Sequence, residues 1–198
     1  MIPTIGIVGG IGSGKSTVAQ AMLVHAGYRI DADQLGHEAL QQPVIKLALV
    51  QRWGDVLDAD GNADRRKIGR IVFADAEDLG ALEALVFPYI ETRIVAETAK
   101  GRSQPAVKFL ILDAAIMMET GWDRHCDKIV FVDAPREIRI ARLKENRGWN
   151  EQEVERREAV QMSLEEKKKR VAAVIVNDAG PDKVARQVRD LLLQWQII

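Results

Sequence analysis

Thr4-Ile5-Gly6-Ile7-Val8-Gly9-Gly10-Ile11-Gly12-Ser13-Gly14-Lys15-Ser16-Thr17 joins an apolar run, a glycine-rich turn and the start of a helical pattern. Thr4 to Val8 has the apolar, β-branched content of a buried strand. Gly9 to Ser16 fits the G-x-x-x-x-G-K-[ST] pattern in the strand–turn–helix setting that gives the pattern its meaning. Glycines let the backbone curl so that successive N–H groups point at phosphate oxygens, and the following helix adds its positive end. Lys15 is then placed for the β- and γ-phosphates of ATP and the Ser16 hydroxyl for Mg²⁺. Gly9, Gly10, Ile11, Gly12, Ser13, Gly14 and Thr17 complete the expected nucleotide site. The competing reading is a glycine-rich turn with no ligand, and the match of both letters and context weighs against it.

Outward from this loop, four more runs read as strands: Tyr28 to Ile30, Val107 to Leu112, Ile129 to Val132 and Val174 to Val176. Each precedes a helix-like pattern, and three of the five are almost continuously apolar, as parallel strands covered on both faces are. The expected class is α/β, a doubly wound parallel five-stranded sheet. Val18, Ala19, Met22, Leu23 and Ala26 mark the buried stripe of the first helix, with Gly27 placed to end it. Val184, Ala185, Val188, Leu191, Leu192 and Trp195 mark that of the last, with Pro181 in its first turn. Between the second and third strands the chain is mostly helical, with Asp58-Ala59-Asp60-Gly61-Asn62 as a turn between helices. From Pro135 to Arg170 it is charged and reads as two short surface helices, with capping-box spacing at Asn150/Glu153 and Ser163/Glu166.

The chain of 198 residues suits one domain with a sizeable core and one active site. Its 28 basic and 29 acidic residues leave a formal charge of -1, which argues against nucleic acid as a partner. The one cysteine, Cys126, excludes an internal disulfide framework and reads as a buried, inert thiol. No charged leader or long apolar span is visible, so the expectation is a cytoplasmic protein without membrane contact, monomeric or a small homo-oligomer. His25, His37 and His125 lack metal-ligand spacing. Lys167-Lys168-Lys169-Arg170 follows Glu165-Glu166 and reads as a solvated helix face.

The loop alone leaves switch, motor and kinase open. A guanine-reading Asn-Lys-x-Asp is absent, which disfavours a GTPase. A kinase acting on a hydroxyl can use a carboxylate near the γ-phosphate to accept the proton. Asp31-Ala32-Asp33 lies just past the second strand, at the carboxyl edge where such sheets bind ligands. Asp33 is the expected base and Asp31 the alternative, and either can instead cap the following helix. Asp113 closes the apolar run Phe109 to Leu112 and is expected to hold a Mg²⁺-bound water, as a Walker-B acid does. Arginines at 136, 139, 142 and 147 lie in the charged segment, and Arg142 and Arg147 are the expected phosphate-neutralising pair of a closing lid.

These residues, in order and spacing, resemble the dephospho-CoA kinases. The resemblance rests on residues 9–17, Asp31-Ala32-Asp33, Arg65 with Ile71-Val72-Phe73, and Arg142-Leu143 with Arg147-Gly148-Trp149. Residues 157–167 and Ile175-Val176-Asn177 extend it, and it spans nearly the whole chain. It implies a P-loop kinase core over 1–33, 106–135 and 171–198, a helical acceptor-binding insertion over 34–105 and a lid over 136–170. It further implies transfer of the ATP γ-phosphate to the ribose 3'-hydroxyl of dephospho-CoA, with Asp33 as base and Arg142 and Arg147 serving ATP. By the same resemblance Asn177 lies against adenine and Arg65 belongs to the acceptor site. The chain departs from the family pattern at Phe87-Pro88, where a His-Pro pair is usual, at Asp113-Ala114-Ala115, where Asp-x-Pro is usual, and at Asn177-Asp178-Ala179-Gly180, where the glycine is shifted by one. A kinase for another small acceptor, such as a nucleoside or nucleotide, is the nearest rival. A non-catalytic nucleotide-binding regulator and a nucleic-acid-associated ATPase are more distant ones.

Overall fold

The computed structural model describes residues 2–198. Five strands, β1 (Thr4–Gly9), β2 (Gly27–Asp31), β3 (Phe109–Asp113), β4 (Lys128–Asp133) and β5 (Ala173–Val176), form one sheet. Its order is β2-β3-β1-β4-β5, with every neighbouring pair parallel. The strands occur where continuous apolar runs predict them, because parallel strands buried on both faces need no polar alternation. From central β1 the connections run to one side through β2 and β3 and to the other through β4 and β5. The carboxyl end of β1 is therefore the topological switch point, where α/β sheets bind ligands.

Ile5, Ile7, Phe109, Ile111, Val130 and Val132 are fully buried, packed against Val18, Ala19 and Met22 of α1 (Lys15–Leu23) and Val184, Val188 and Leu192 of α9 (Pro181–Gln194). Ala185 lies off this stripe and is exposed. The first helix stops earlier than expected: α1 ends at Leu23, Ala26 takes a left-handed φ of 67°, and Gly27 already opens β2. Gly27 serves space, since a Cβ there would lie 2.8 Å from Ile111 Cδ1 and 2.9 Å from Phe109 Cε2. Another expectation fails after β3, where turns and one 3₁₀ turn (Trp122–His125) replace an α-helix. Cys126 packs beside Met117, Sγ to Sδ 3.7 Å, and burial, with Asp123 and Asp127 nearby, pushes its thiol up to about 12.

The charged stretch after β4 holds α6 (Arg136–Arg147), α7 (Glu151–Glu158) and α8 (Leu164–Lys169), one helix more than expected. Both capping residues act as their spacing requires. Asn150 Oδ1 accepts from Glu153 N–H at 2.9 Å and Ser163 Oγ accepts from Glu166 N–H at 3.2 Å.

The chain divides into two compact units, one of the residues up to Asp31 with Glu97–Ile198, the other Ala32–Ala96. The second contains α2 (Ala32–Leu40), α3 (Pro43–Trp53), α4 (Arg65–Val72) and most of α5 (Ala76–Arg102). Its core is Leu35, Ala39, Leu49, Ile68, Val86, Ile90 and Ile94. The turn between α3 and α4 forms as expected: Asp58 Oδ1 accepts from the N–H groups of Asp60 and Asn62, closed by a Leu57–Ala63 bridge. Phe87-Pro88 falls inside α5. Among the described residues no helix is long and apolar enough to cross a membrane.

Candidate active site

The loop leaving β1 curls by way of Gly12 (φ 77°) and Gly14 (φ 86°), a left-handed conformation that other residues resist. Space excludes side chains there as well. A Cβ on Gly12 would lie 2.7 Å from the Arg139 carbonyl, and one on Gly14 would lie 2.1 Å from Asn177 Nδ2. Gly14 is the N-cap of α1, and no side chain caps it. The N-terminal turn of α1 is thus open to an anion, with the positive end of the helix dipole behind it. Ser16 is exposed in this first turn, whereas Ser13 is buried and its hydroxyl has no partner among the described residues.

Two side chains support the loop through the Ser13 carbonyl. Asn177, 2% exposed just past β5, donates to it from Nδ2 at 2.9 Å, and Arg142 donates from Nη1 at 3.3 Å. Arg142 Nη2 also reaches Asn177 O at 3.2 Å and Oδ1 at 3.3 Å. One turn earlier on α6, buried Arg139 donates to the Ile11 carbonyl at 3.1 Å and pairs with Glu158. Arg139 and Arg142 are therefore the arginines at the loop. Arg147 is exposed and lies 5.0 Å from the Trp149 ring, which Arg157 approaches at 4.2 Å. Gly10, Ile11, Arg136, Arg139, Gln161 and Met162 line much of a cavity of about 300 Å³ between the loop and this segment. Arg136 faces Glu151, Glu155 and Glu158, so its charge is met within the segment.

The acidic side of the site lies at the ends of β2 and β3. Parallel pairing places Asp31 in register with Asp113, so both carboxylates stand on one face. Arg29, two residues before Asp31 and so on the same face, places Nη2 at 2.8 Å from Asp31 Oδ2 and 2.7 Å from Asp113 Oδ2. Burial raises the Asp113 carboxyl above its ordinary value, against the pull of Arg29 and Lys15. Among the described residues no group of three or more His, Cys, Asp or Glu could cage a metal. One or two carboxylates and a hydroxyl are instead the donor set of Mg²⁺ that keeps phosphate and water ligands, and Ser16 and Asp113 fit that role.

The solvated face expected at 167–170 is corrected at its first residue. Lys167 is fully buried, its ammonium 2.8 Å from Glu119 Oε1 and 3.1 Å from the Ala115 carbonyl. Glu119 also accepts from Met162 N–H at 2.9 Å, so that Met162 and Lys167 are both tied to the loop that follows Asp113. Lys168 pairs with Asp133 at 2.8 Å.

In the second unit, Asp33 occupies the first turn of α2 and Arg65 is the exposed first residue of α4. Asp64 caps α4, accepting from the N–H groups of Arg66 and Lys67 at 2.9 and 3.1 Å. The structure thus brings the loop, Lys15, Asp113, Arg142 and Asn177 together in one unit. Sequence reasoning overlooked Arg29 and Glu158, and for Lys167 it missed burial. The only signal at Arg29 was a charge two residues from Asp31 in an otherwise apolar strand.

A family model described as dephospho-CoA kinase matches residues 3–183. The chain belongs to the dephospho-CoA kinase family. Curated members similar to it include the dephospho-CoA kinase of Bacillus licheniformis, 36% identical over 201 residues, covering 100% of this chain and 99% of the relative. That of Geobacillus kaustophilus is 35% identical over 207 residues, with the same shares covered. Among solved structures, a Thermus thermophilus protein is 33% identical with a TM-score of 0.81 over 97% of each chain. The Campylobacter jejuni dephospho-CoA kinase, 19% identical with a TM-score of 0.64 over 97% of this chain and 96% of that one, shares the fold. So does the Acinetobacter baumannii shikimate kinase, 16% identical with a TM-score of 0.53 over 98% of this chain and 94% of that one.

Proposed function

We propose that this chain transfers the γ-phosphate of ATP to the 3'-hydroxyl of dephospho-CoA, giving coenzyme A and ADP, the last step of coenzyme A biosynthesis. The observation that carries the reading is the glycine turn without a side-chain cap at the switch point of the sheet, with the Lys15 charge acting on the strand-end carboxylate Asp113. In that arrangement the loop amides and Lys15 take up phosphate charge, where fixed dipoles and cations stabilise a transferring phosphoryl group most. Ser16 and Asp113 would hold Mg²⁺, which when bound would supply further neutralisation of the phosphate charge.

Asp33 accepts the proton of the 3'-hydroxyl as its oxygen bonds to the γ-phosphorus and the bond to the β-phosphate oxygen breaks. Asp31 is the weaker candidate for base because Arg29 already engages its carboxylate. Arg142 and Asn177 keep the loop in shape through Ser13, and Asn177 also adjoins the adenine side. Arg147 joins Arg142 on the phosphates when the segment 136–170 closes as a lid over the core 1–33, 106–135 and 171–198. Arg65 serves the acceptor within the helical insertion 34–105. The enzyme works in the cytoplasm as a monomer or small homo-oligomer, without nucleic acid.

Coupled ADP release with a panel of acceptors tests this directly. Dephospho-CoA is expected to support turnover far above nucleosides and nucleotides; a nucleoside preference favours the nearest rival, and no acceptor-dependent ADP at all favours a non-catalytic regulator. Asp33→Asn is expected to lower turnover by about 10²–10⁴ with ATP affinity little changed. Equal loss of both assigns Asp33 a structural role.

A further inference from the structure

Asp31 and Asp113 stand side by side at the ends of β2 and β3, and two carboxylates at such spacing repel unless a cation lies between them. In this chain the cation is built in. One nitrogen, Arg29 Nη2, contacts Oδ2 of both carboxylates, at 2.8 and 2.7 Å. The guanidinium is incompletely satisfied in this pose, because its Nε is buried with no partner among the described residues. Its hold on the pair runs through the two charge-assisted contacts of that one nitrogen. Lys15 adds a second positive charge toward Asp113.

We propose that Arg29 is a positioning residue that closes the Asp31–Asp113 pair to free divalent cations, so that the metal enters only on the phosphates of the nucleotide. Arg29 occupies one oxygen, Oδ2, of each carboxylate and offsets the negative charge that would attract a free ion. Free Mg²⁺ or Mn²⁺ therefore meets a cation already at the pair and gains at most one or two carboxylate ligands there. A nucleotide-borne ion brings phosphate ligands with it, so that Asp113 can exchange its contact with Arg29 for a metal-bound water while Arg29 stays on Asp31. The effect is to order substrate addition and to keep the acid pair at its spacing before the nucleotide arrives. This inference rests on the kinase reading above, through the assignment of Asp113 to the metal.

Mn²⁺ binding to nucleotide-free protein, followed by the loss of the free-ion electron paramagnetic resonance signal on titration with MnCl₂, tests it without turnover. Wild type is expected to bind free Mn²⁺ weakly, and Arg29→Met at least about tenfold more tightly, with the gain removed by adding Asp113→Asn. Arg29→Lys, which keeps the charge but reaches only one carboxylate, is expected to gain about threefold and serves if the Met variant does not fold. Tight binding of free Mn²⁺ by wild type, or folded Met or Lys variants within twofold of wild type, overturns the proposal. Failure of the kinase reading shows separately, as absence of dephospho-CoA-dependent ADP release by wild type.

Discussion

The sheet and the segment from Arg136 to Arg170 belong to the same compact unit, but different forces hold them. In the sheet, Ile5, Ile7, Phe109, Ile111, Val130 and Val132 have no exposed surface. In the segment, the buried residues are Leu143 and Val154 together with two cations, Arg139 and Lys167. Many of its other ties are carboxylate–arginine and carboxylate–lysine pairs, among them Arg136 with three glutamates and Arg157 with Glu153 at 2.6 Å. Burial of apolar surface responds little to salt and pH, whereas partly exposed ion pairs respond to both. The glycine loop stands at the border between the two. Its strand is fixed by apolar packing, and its carbonyls at Ile11 and Ser13 are held by arginines of the charged segment. A loop so placed keeps its position while its cover is tuned.

The largest effect that can break this contrast is a cavity in the sheet. Ile111→Ala is expected to remove about 4 kcal/mol of global stability, seen as a lower urea midpoint at unchanged slope; a loss below about 1 kcal/mol would contradict the weight given to this core. Lys167→Met sharpens it from the other side, because Lys167 is the one lysine of the segment that is fully buried. Removing its ammonium leaves Glu119 short of a partner, and a loss of about 2–3 kcal/mol is expected in thermal unfolding. A neutral result would show that the methylene stem, not the charge, holds α8. Ser163→Ala is expected to cost about 1 kcal/mol by freeing the Glu166 N–H, with faster amide exchange confined to α8.

The smallest effect is a pH dependence. Against the cost of burial, Arg157 and Arg156 hold the Glu153 carboxyl below its ordinary value. Its folded pKa is thus depressed, so its contribution is complete above the ordinary glutamate value of 4.5 and is lost as pH falls through the lower folded value. Amide exchange corrected for intrinsic rate is expected to rise in α7 below that point, and with added salt, before it rises in β1 or β3. Cys126 gives an independent reading of the sheet side. With its thiol pushed up to about 12 it stays protonated near neutral pH, so alkylation at neutral pH is expected to remain slow in added salt that loosens α7.

The glycine loop and the sheet were legible because their signals are local. A Gly-x-x-x-x-Gly-Lys-Ser turn carries its own geometry, and a continuous apolar run identifies a strand covered on both faces. The caps at Asn150 and Ser163 were legible for the same reason, since partner and cap lie three residues apart. What escaped depends on pairing between distant stretches. Nothing near Arg29 reveals that β3 will set Asp113 beside Asp31. Lys167 sits in a run of four basic residues, and only the fold brings Glu119 to it. Gly27 was assigned to the end of a helix, yet Phe109 and Ile111 are what forbid a side chain there.

A crystal structure with a non-hydrolysable ATP analogue and Mg²⁺ tests the central claim most directly. The account predicts the triphosphate wrapped by the amides of residues 12–16, with Lys15 on its β- and γ-phosphates, the metal between Ser16 and Asp113, and the Asp33 carboxylate facing the terminal phosphate. A triphosphate bound away from that turn, or Asp33 directed away from the γ-phosphate, would contradict it.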